Sequence, residues 1–113
     1  MEARIWTNQL IHIIDISGGI SLADANKLKN LVMKLLEKKA ERFIINAQGI
    51  TSIDSSGIGA IIFISSTLKN LHLPLAITNL SEQVQQTIDK TKLSGYFQIY
   101  GNLRDAIRAL SQE

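Results

Sequence analysis

The chain has 113 residues, of which 45% are apolar and 19% are charged, and this length and composition are typical of one folded domain rather than a disordered segment. Its net charge of +2 at pH 7 is too small to indicate direct binding of nucleic acid, and the absence of cysteine excludes disulfides and thiolate chemistry. The N-terminus lacks a signal-peptide pattern and no apolar run reaches the roughly 20 residues of a membrane span, so we expect a cytoplasmic protein without membrane insertion.

Two strands and a helix are predicted in the first third of the chain. The segments "RIW" and Leu10–Ile16 ("LIHIIDI") are rich in β-branched residues and alternate with a period of two, which favours strands. The "SGG" that follows is expected to end the second strand. The next segment, "SLADANKLKNLVMKLLEKK", predicts a helix, and Ser21 with Asp24 predicts a capping box at its start. The apolar stripe of this helix consists of Ala25, Leu28, Leu31, Val32, Leu35 and Leu36.

The remaining elements alternate between strands and helices. "RFIINA", "LPLAIT" and "GYFQIY" are predicted as strands, whereas "SEQVQQTIDKT" and "NLRDAIRAL" are predicted as helices capped by Ser81 and Asn102. The segment "AIIFISSTLKNL" favours a strand by its isoleucines, but its apolar residues also share one helical face, and the element order treats it as a helix.

The order of predicted elements, β-β-α-β-α-β-α-β-α, indicates an α/β protein. We expect one domain over residues 1–113, with a mixed, mostly parallel sheet of four to five strands and about four helices. In such sheets, functional residues collect in the loops at the carboxyl ends of the parallel strands.

The polar decapeptide Thr51–Ala60, "TSIDSSGIGA", is predicted to be such a loop. It does not match the serine nucleophile elbow, because Asp54 and Ile58 stand where that motif needs glycines around Ser56. A dinucleotide-binding fingerprint is also incomplete, because Ile62 stands where its third glycine would be.

Enzymatic activity therefore has little support in the sequence. A serine paired with His12 or His72 is the one catalytic alternative left open, and no spacing suggests a metal site or a cofactor. A structural interpretation is that Asp54, Ser55 or Ser56 caps a helix that opens at Gly57. We predict a protein that is not an enzyme.

The stretch "FIINAQGITSIDSSGIGAIIFI" resembles the core motif of the STAS domain family, in the branch of anti-sigma factor antagonists. The family pattern is an apolar strand, a short loop ending in Asp-Ser-(Ser/Ala/Thr)-Gly, and an apolar helix, and the resemblance extends over nearly the whole chain. It implies that Ser55 is phosphorylated by a serine kinase that is also an anti-sigma factor. The unphosphorylated form would bind this kinase and release the sigma factor, and a serine phosphatase would reset the phosphorylated form.

The resemblance also implies a partner-binding surface around the phosphorylation site. The residues expected in it are Asp54, Ser55, Ser56, Gly57, Ile58, Gly59, Ile62 and Ser21. Gly57 and Gly59 either leave room for a partner's backbone or allow close packing of the helix on the sheet, and the sequence leaves both readings open. We expect a monomer or a weak dimer.

Two departures from the family pattern leave room for a different role. The family usually has Gly-(Glu/Asp)-Leu-Asp after the second strand, whereas this chain has neutral residues at the two acidic positions, Gly19 and Ser21. Asn46 likewise replaces an aspartate in the strand before the motif. The alternative is a STAS subunit of a lipid-transport or signalling scaffold complex that is not phosphorylated.

Overall fold

A computed structural model describes residues 1–90 and 98–111. Its elements are β1 (Glu2–Asn8), β2 (Ile11–Ile20), α1 (Leu22–Glu37), β3 (Phe43–Ile53), α2 (Ser55–Asn70), β4 (Leu75–Thr78), α3 (Glu82–Lys90), β5 (Gln98–Tyr100) and α4 (Leu103–Ser111). This order confirms the predicted α/β succession. Of the segment "GYFQIY", Gln98–Tyr100 form the predicted strand, and residues 95–97 lie outside the described residues.

The strands form one mixed sheet in the order β1-β2-β3-β4-β5. β1 is antiparallel to β2, whereas β2, β3, β4 and β5 are parallel to their neighbours, which confirms the predicted mostly parallel sheet. Because parallel strands point the same way, the helices that follow β2, β3 and β4 all begin at the same edge of the sheet.

The sheet is covered on both faces. One apolar cluster joins α1, α2 and α3 to one face, and a smaller cluster joins α4 to the other. The alternation in β2 follows this division: Ile14 and Ile16 belong to the larger cluster, and Ile11 and Ile13 belong to the smaller one. Strand segments that are buried on both faces have consecutive apolar residues, as β2 has at Ile13–Ile14 and β3 at Phe43–Ile45.

The prediction that "SGG" ends the second strand is wrong, because β2 continues to Ile20. The register between β2 and β3 shifts twice, between Asp15 and Ser17 and between Gly18 and Gly19. Gly18 has φ +85°, a conformation that favours glycine. The glycines therefore allow irregularities within a strand instead of terminating it.

Leu10 was expected in the second strand but lies in the turn before it. Gln9 and Leu10 connect β1 to β2 with φ values of 51° and 67°. Two consecutive left-handed residues match the twist of the flanking strands in a tight hairpin, although glycine or asparagine is the usual choice there.

The prediction that the decapeptide Thr51–Ala60 forms a loop is wrong, because all of its residues except Asp54 belong to β3 or α2. β3 extends through Ile53 and α2 begins at Ser55, so only Asp54 lies between them. The helix therefore opens two residues before Gly57, the predicted start. The segment "AIIFISSTLKNL" is helical, because Ile61, Ile64 and neighbouring apolar residues pack against the sheet, and this burial outweighs their β propensity.

The predicted caps of the last two helices are present. The backbone N–H of Val84 donates to the Ser81 hydroxyl at 3.1 Å, and that of Asp105 donates to the Asn102 side-chain oxygen at 2.9 Å. Within the described residues, none of the helices combines the length and apolar character needed to cross a membrane.

Candidate functional site

The N-termini of α1 and α2 lie next to each other at one edge of the sheet. Ile20 and Ile53, the last residues of β2 and β3, are partners in the parallel register. The chain enters a helix directly after each of them, through Ser21 and Asp54. The sheet therefore brings together the two segments that sequence analysis assigned to the partner-binding surface.

Asp54 is the N-cap of α2. Its backbone is extended, its carboxylate accepts a 2.9 Å hydrogen bond from the N–H of Gly57, and its carbonyl accepts one of 3.0 Å from the N–H of Ile58. Of the three proposed caps, Asp54 is thus the one that forms. Ser55 is the first residue of the helix and is exposed, so its hydroxyl faces solvent from a backbone that the cap holds in place.

Ser21 and Asp24 form the predicted capping box at the start of α1. The Asp24 carboxylate accepts hydrogen bonds from the backbone N–H of Ser21 at 3.1 Å and from its hydroxyl at 2.9 Å. Both bonds stabilise the ionised carboxylate and therefore lower the pKa of Asp24 below its usual value. The bond from the Ser21 backbone has the larger effect and the bond from its hydroxyl the smaller one. Ser21 itself remains exposed.

A shallow pocket of about 320 Å³ separates the two helix starts and is lined by Gly19, Ile20, Ser21, Ser52, Ile53 and Asp54. Gly19 pairs with Ser52 in the sheet, and a Cβ at Gly19 would lie 2.7 Å from the Ser52 hydroxyl oxygen. Ser52 therefore occupies the space into which an acidic side chain at position 19 would extend. Ser52 could not be predicted as part of this site from the sequence, because only the register across the shifted strands places it opposite Gly19.

The two glycines of α2 have different surroundings. Gly57 is buried, and a Cβ there would lie 2.7 Å from Cγ1 of Ile53 and 2.9 Å from Cγ2 of Ile20. Gly59 is exposed, and no heavy atom of the described residues lies within 4 Å of the position its Cβ would take. Close packing thus accounts for Gly57 but not for Gly59.

The structure places the predicted partner-binding residues at different depths. Asp54, Ser55, Gly59 and Ser21 are exposed, Ser56 and Ile62 are partly buried, and Gly57 and Ile58 are buried. The exposed ones cluster around the start of α2 and the neighbouring start of α1. Gly57 and Ile58 face the core, so the structure does not bring them to this surface.

Phe63 is an exposed aromatic residue on α2 that sequence analysis did not separate from its neighbours. Its side chain is 45% exposed, and the Lys29 ammonium lies 5.1 Å from the centroid of its ring. The apolar run Ala60–Ile64 divides between the core and the surface. Ala60, Ile61 and Ile64 are buried, whereas Phe63 is exposed. Phe63 lies four residues after Gly59 and eight after Ser55, so it shares their helical face. This spacing is the sequence signal from which its exposure could have been predicted.

The catalytic pair left open by the sequence is excluded by distance. His12 lies eight residues before Ile20 in β2, which corresponds to about 26 Å of strand. His72 follows α2 at the end opposite Ser55, and a helix of 16 residues spans about 24 Å. The described residues also contain no group of three or more histidine, aspartate or glutamate side chains suited to a metal ion.

Asn46 lies on β3 away from Ser55, in a polar network with side chains of β1, β2 and the residue that follows β4. Its amide N–H₂ donates to Asp15 at 2.9 Å, and its amide oxygen accepts from the Asn79 side chain at 3.0 Å. Asp15 also accepts a 2.9 Å hydrogen bond from the Trp6 indole. An amide can donate to a carboxylate and a second carboxylate cannot, so Asp15 explains why asparagine stands at this position.

Comparison with known proteins identifies the fold. The family model of the STAS domain matches residues 3–106. The Thermotoga maritima protein TM1081 superposes with a TM-score of 0.89 at 19% sequence identity, over 96% of this chain and 93% of that one. An anti-sigma factor antagonist from Mycobacterium paratuberculosis gives a TM-score of 0.86 at 16% identity, over 96% of this chain and 92% of that one.

The anti-sigma factor antagonist SpoIIAA is similar in two states. Its unphosphorylated form gives a TM-score of 0.75 at 12% identity, over 96% of both chains. Its phosphorylated form, from Bacillus, gives 0.74 at 14% identity, over 96% of this chain and 98% of that one. At these identities the structural likeness establishes the fold, and the family match extends over most of the sequence. The chain is therefore a member of the STAS domain family.

Proposed function

We propose that this protein is an anti-sigma factor antagonist that switches partners through phosphorylation of Ser55. In its unphosphorylated form it binds a serine kinase that is also an anti-sigma factor, and the sigma factor is released. Phosphorylation ends this binding, and a serine phosphatase restores it. The observation that carries the proposal is the position of Ser55, whose exposed hydroxyl directly follows the Asp54 cap at the start of α2.

The fold should tolerate a phosphate at Ser55. Phosphorylation adds a charge of about −1.5 to −2, and the N-terminus of a helix, with its outward N–H groups and positive dipole end, is favourable for negative charge. The Asp54 cap bonds to Gly57 rather than to Ser55, so the new group need not displace it. The likeness of this fold to both forms of SpoIIAA supports a switch that acts without refolding.

The same phosphate should disrupt a partner's contact. Asp54 is exposed beside Ser55, so phosphorylation would concentrate negative charge on two consecutive residues. A kinase surface that is complementary to a neutral hydroxyl would then have to desolvate that charge or oppose it. The switch therefore needs no structural change beyond the added group.

The test is phosphorylation of this protein by an anti-sigma serine kinase. Incubation with the kinase, Mg²⁺ and ATP should add about 80 Da, one phosphate group, to the wild type and to Ser56→Ala, but not to Ser55→Ala. In calorimetry, Ser55→Ala should keep its affinity for the kinase, whereas Ser55→Asp should bind at least about tenfold more weakly, a loss of about 1.4 kcal/mol. Equal affinity of the two Ser55 variants would contradict the proposal.

A second candidate is a STAS subunit of a lipid-transport or signalling scaffold complex that is not phosphorylated. The observation that favours it is the pocket beside Ser55, where Gly19 and Ser21 are neutral at positions that are usually acidic in the family. Under this alternative, the protein would form a stable complex with its partner while its mass stays unchanged after incubation with kinase and ATP.

A further inference from the structure

β1 is a long and regular edge of the sheet. Of the two edge strands, β1 has seven residues and β5 has three described residues. Every residue of β1 is exposed or partly buried, and its pairing with β2 runs from Glu2 to Asn8 without a register shift. The strand contains no proline or lysine. Proteins usually protect an edge with such residues, with a bulge or by making it short, so β1 is available for pairing with another strand.

The hairpin between β1 and β2 determines which backbone groups of β1 point away from the sheet. Its two-residue turn consists of Gln9 and Leu10. Asn8 and Ile11 flank this turn as partners, and a turn of this kind is closed by a hydrogen bond between its flanking residues. Because hydrogen-bonded pairs alternate along antiparallel strands, every second residue of β1 directs its N–H and C=O toward β2. The residues that direct theirs away from β2 are therefore Ala3, Ile5 and Thr7.

We propose that β1 pairs with β1 of a second copy of this chain, in antiparallel orientation around a two-fold axis at Ile5. In this register Ile5 faces Ile5 of the second copy, and Ala3 faces Thr7 of the second copy. Each hydrogen-bonded pair exchanges two bonds, so the three pairs across the axis form about six. Because both copies use the same surface, the contact closes as a dimer and does not grow into a fibre.

The side chains of β1 favour this register over its neighbours. An axis at Arg4 would place two arginines directly opposite each other, and like charges in that position are destabilising. An axis at Ala3 or at Trp6 would leave part of each strand unpaired. The axis at Ile5 pairs the whole strand and opposes the charge of Glu2 to a neutral residue, Asn8 of the second copy.

The same register creates a favourable contact on one face of the sheet. Arg4 lies opposite Trp6 of the second copy in a non-hydrogen-bonded pair, where the side chains of antiparallel strands are closest. Within one copy, Asp15 accepts hydrogen bonds from the Trp6 indole at 2.9 Å and from the Arg4 guanidinium at 3.3 Å. The Arg4 side chain is nevertheless 82% exposed, so its guanidinium has room to lie against the indole of the second copy. The two-fold axis forms this contact twice.

The dimer is compatible with the proposed function but does not depend on it. Ser55 follows β3, and β2 separates β3 from β1 in the sheet. A dimer that forms at β1 therefore presents two copies of the Ser55 site. The contact involves one strand of each copy, so we expect a small interface and a weak association that depends on protein concentration.

The test is sedimentation velocity at about 5 to 500 µM, a range that suits a weak dimer. The sedimentation coefficient of the wild type should rise with concentration toward that of a dimer. Ile5→Pro removes an N–H that points away from β2, a change that an edge strand tolerates, and should weaken dimerisation at least about tenfold. Leu71→Ser, which removes an exposed leucine at the end of α2, is the control and should associate like the wild type.

A charge pair at position 5 tests the register itself. Ile5→Lys and Ile5→Glu each place two like charges at the axis, so each variant alone should stay monomeric, whereas an equimolar mixture should form mixed dimers. This pair also keeps the proposal testable if Ile5→Pro does not fold. A wild type that remains monomeric at every concentration would overturn the proposal. It would also be wrong if Ile5→Pro associates fully, if Leu71→Ser is impaired as strongly, or if the mixture stays monomeric while the wild type dimerises.

Discussion

The backbone N–H of Gly57 donates a 2.9 Å hydrogen bond to the carboxylate of Asp54, the residue that directly precedes the proposed phosphoacceptor. This bond fixes the first turn of α2 and leaves Ser55 exposed beside an ionisable group. Asp54 thus has two separable effects, a hydrogen-bond acceptor for the helix and a negative charge on the surface. Substitutions can remove one effect and keep the other.

The Asp54 cap should be measurable as stability. Asp54→Ala removes the acceptor for the Gly57 N–H and should lower the free energy of unfolding by about 1 kcal/mol, within a range of roughly 0.5–2 kcal/mol for lost N-caps. Asp54→Ser keeps an oxygen at the cap without the charge, so it should lower the free energy of unfolding by only a few tenths of a kcal/mol. Urea denaturation of both variants and the wild type checks this. An equal loss in both would mean that the charge, rather than the acceptor, stabilises the helix.

The two glycines of α2 should respond to alanine with opposite signs. Gly57→Ala places a methyl group against Ile53 and Ile20 and should destabilise the protein by about 1–3 kcal/mol, as overpacking does. Gly59→Ala meets no described atom and should stabilise it by roughly 0.5–1 kcal/mol, the usual gain in a helix interior. Denaturation curves of the two variants and the wild type measure both changes in the free energy of unfolding. A loss of stability in Gly59→Ala would show that its environment is not open.

The succession of elements was predictable because each has a local signal. The helix of α1 follows from its apolar stripe and the Ser21 capping box, and α3 and α4 follow from Ser81 and Asn102, whose side chains cap in the structure as expected. These signals lie within a few residues of one another. They do not depend on how the sheet is assembled.

The features that sequence analysis missed depend on contacts between distant segments. The continuation of β2 through Gly18 and Gly19 requires pairing with β3, which lies more than 30 residues further along the chain. The opposition of Ser52 to Gly19 and the separate roles of Gly57 and Gly59 arise from the same pairing, because Ile20 and Ile53 come together only in the sheet. A single sequence carries no local signal for such contacts.

Asn46 should not tolerate replacement by aspartate. Asn46→Asp would put a second carboxylate where an amide N–H₂ now donates to Asp15 at 2.9 Å, replacing a hydrogen bond by repulsion. We expect a loss of about 1–3 kcal/mol near neutral pH.

The matched control for Asn46→Asp exchanges the two side chains. The double variant Asp15→Asn/Asn46→Asp again places one amide and one carboxylate in contact and should recover most of the lost stability. Urea denaturation at about pH 7 measures both variants and the wild type. If the double variant is as unstable as Asn46→Asp alone, the interaction with Asp15 is not the cause.

The capping box of α1 should make stability depend on pH in the acid range. The hydrogen bonds from the Ser21 backbone and hydroxyl lower the pKa of Asp24 in the folded state below the usual value of an aspartate. A group whose pKa is depressed by folding stabilises the native state fully above its unfolded-state value, and this contribution disappears as the pH falls through the folded-state value. The contribution of Asp24 should therefore be complete near neutral pH and lost below the usual range of an aspartate.

Asp24→Asn isolates this contribution. The variant keeps the size of the side chain but has no carboxylate to titrate, so it should be less stable than the wild type at about pH 6, and the difference should narrow as the pH approaches about 2.5. Urea denaturation of both proteins across this range gives the difference directly. If the difference in free energy of unfolding stays constant down to the lowest pH, the two hydrogen bonds from Ser21 do not depend on the charge of Asp24. The lowered pKa would then not contribute to the stability of α1.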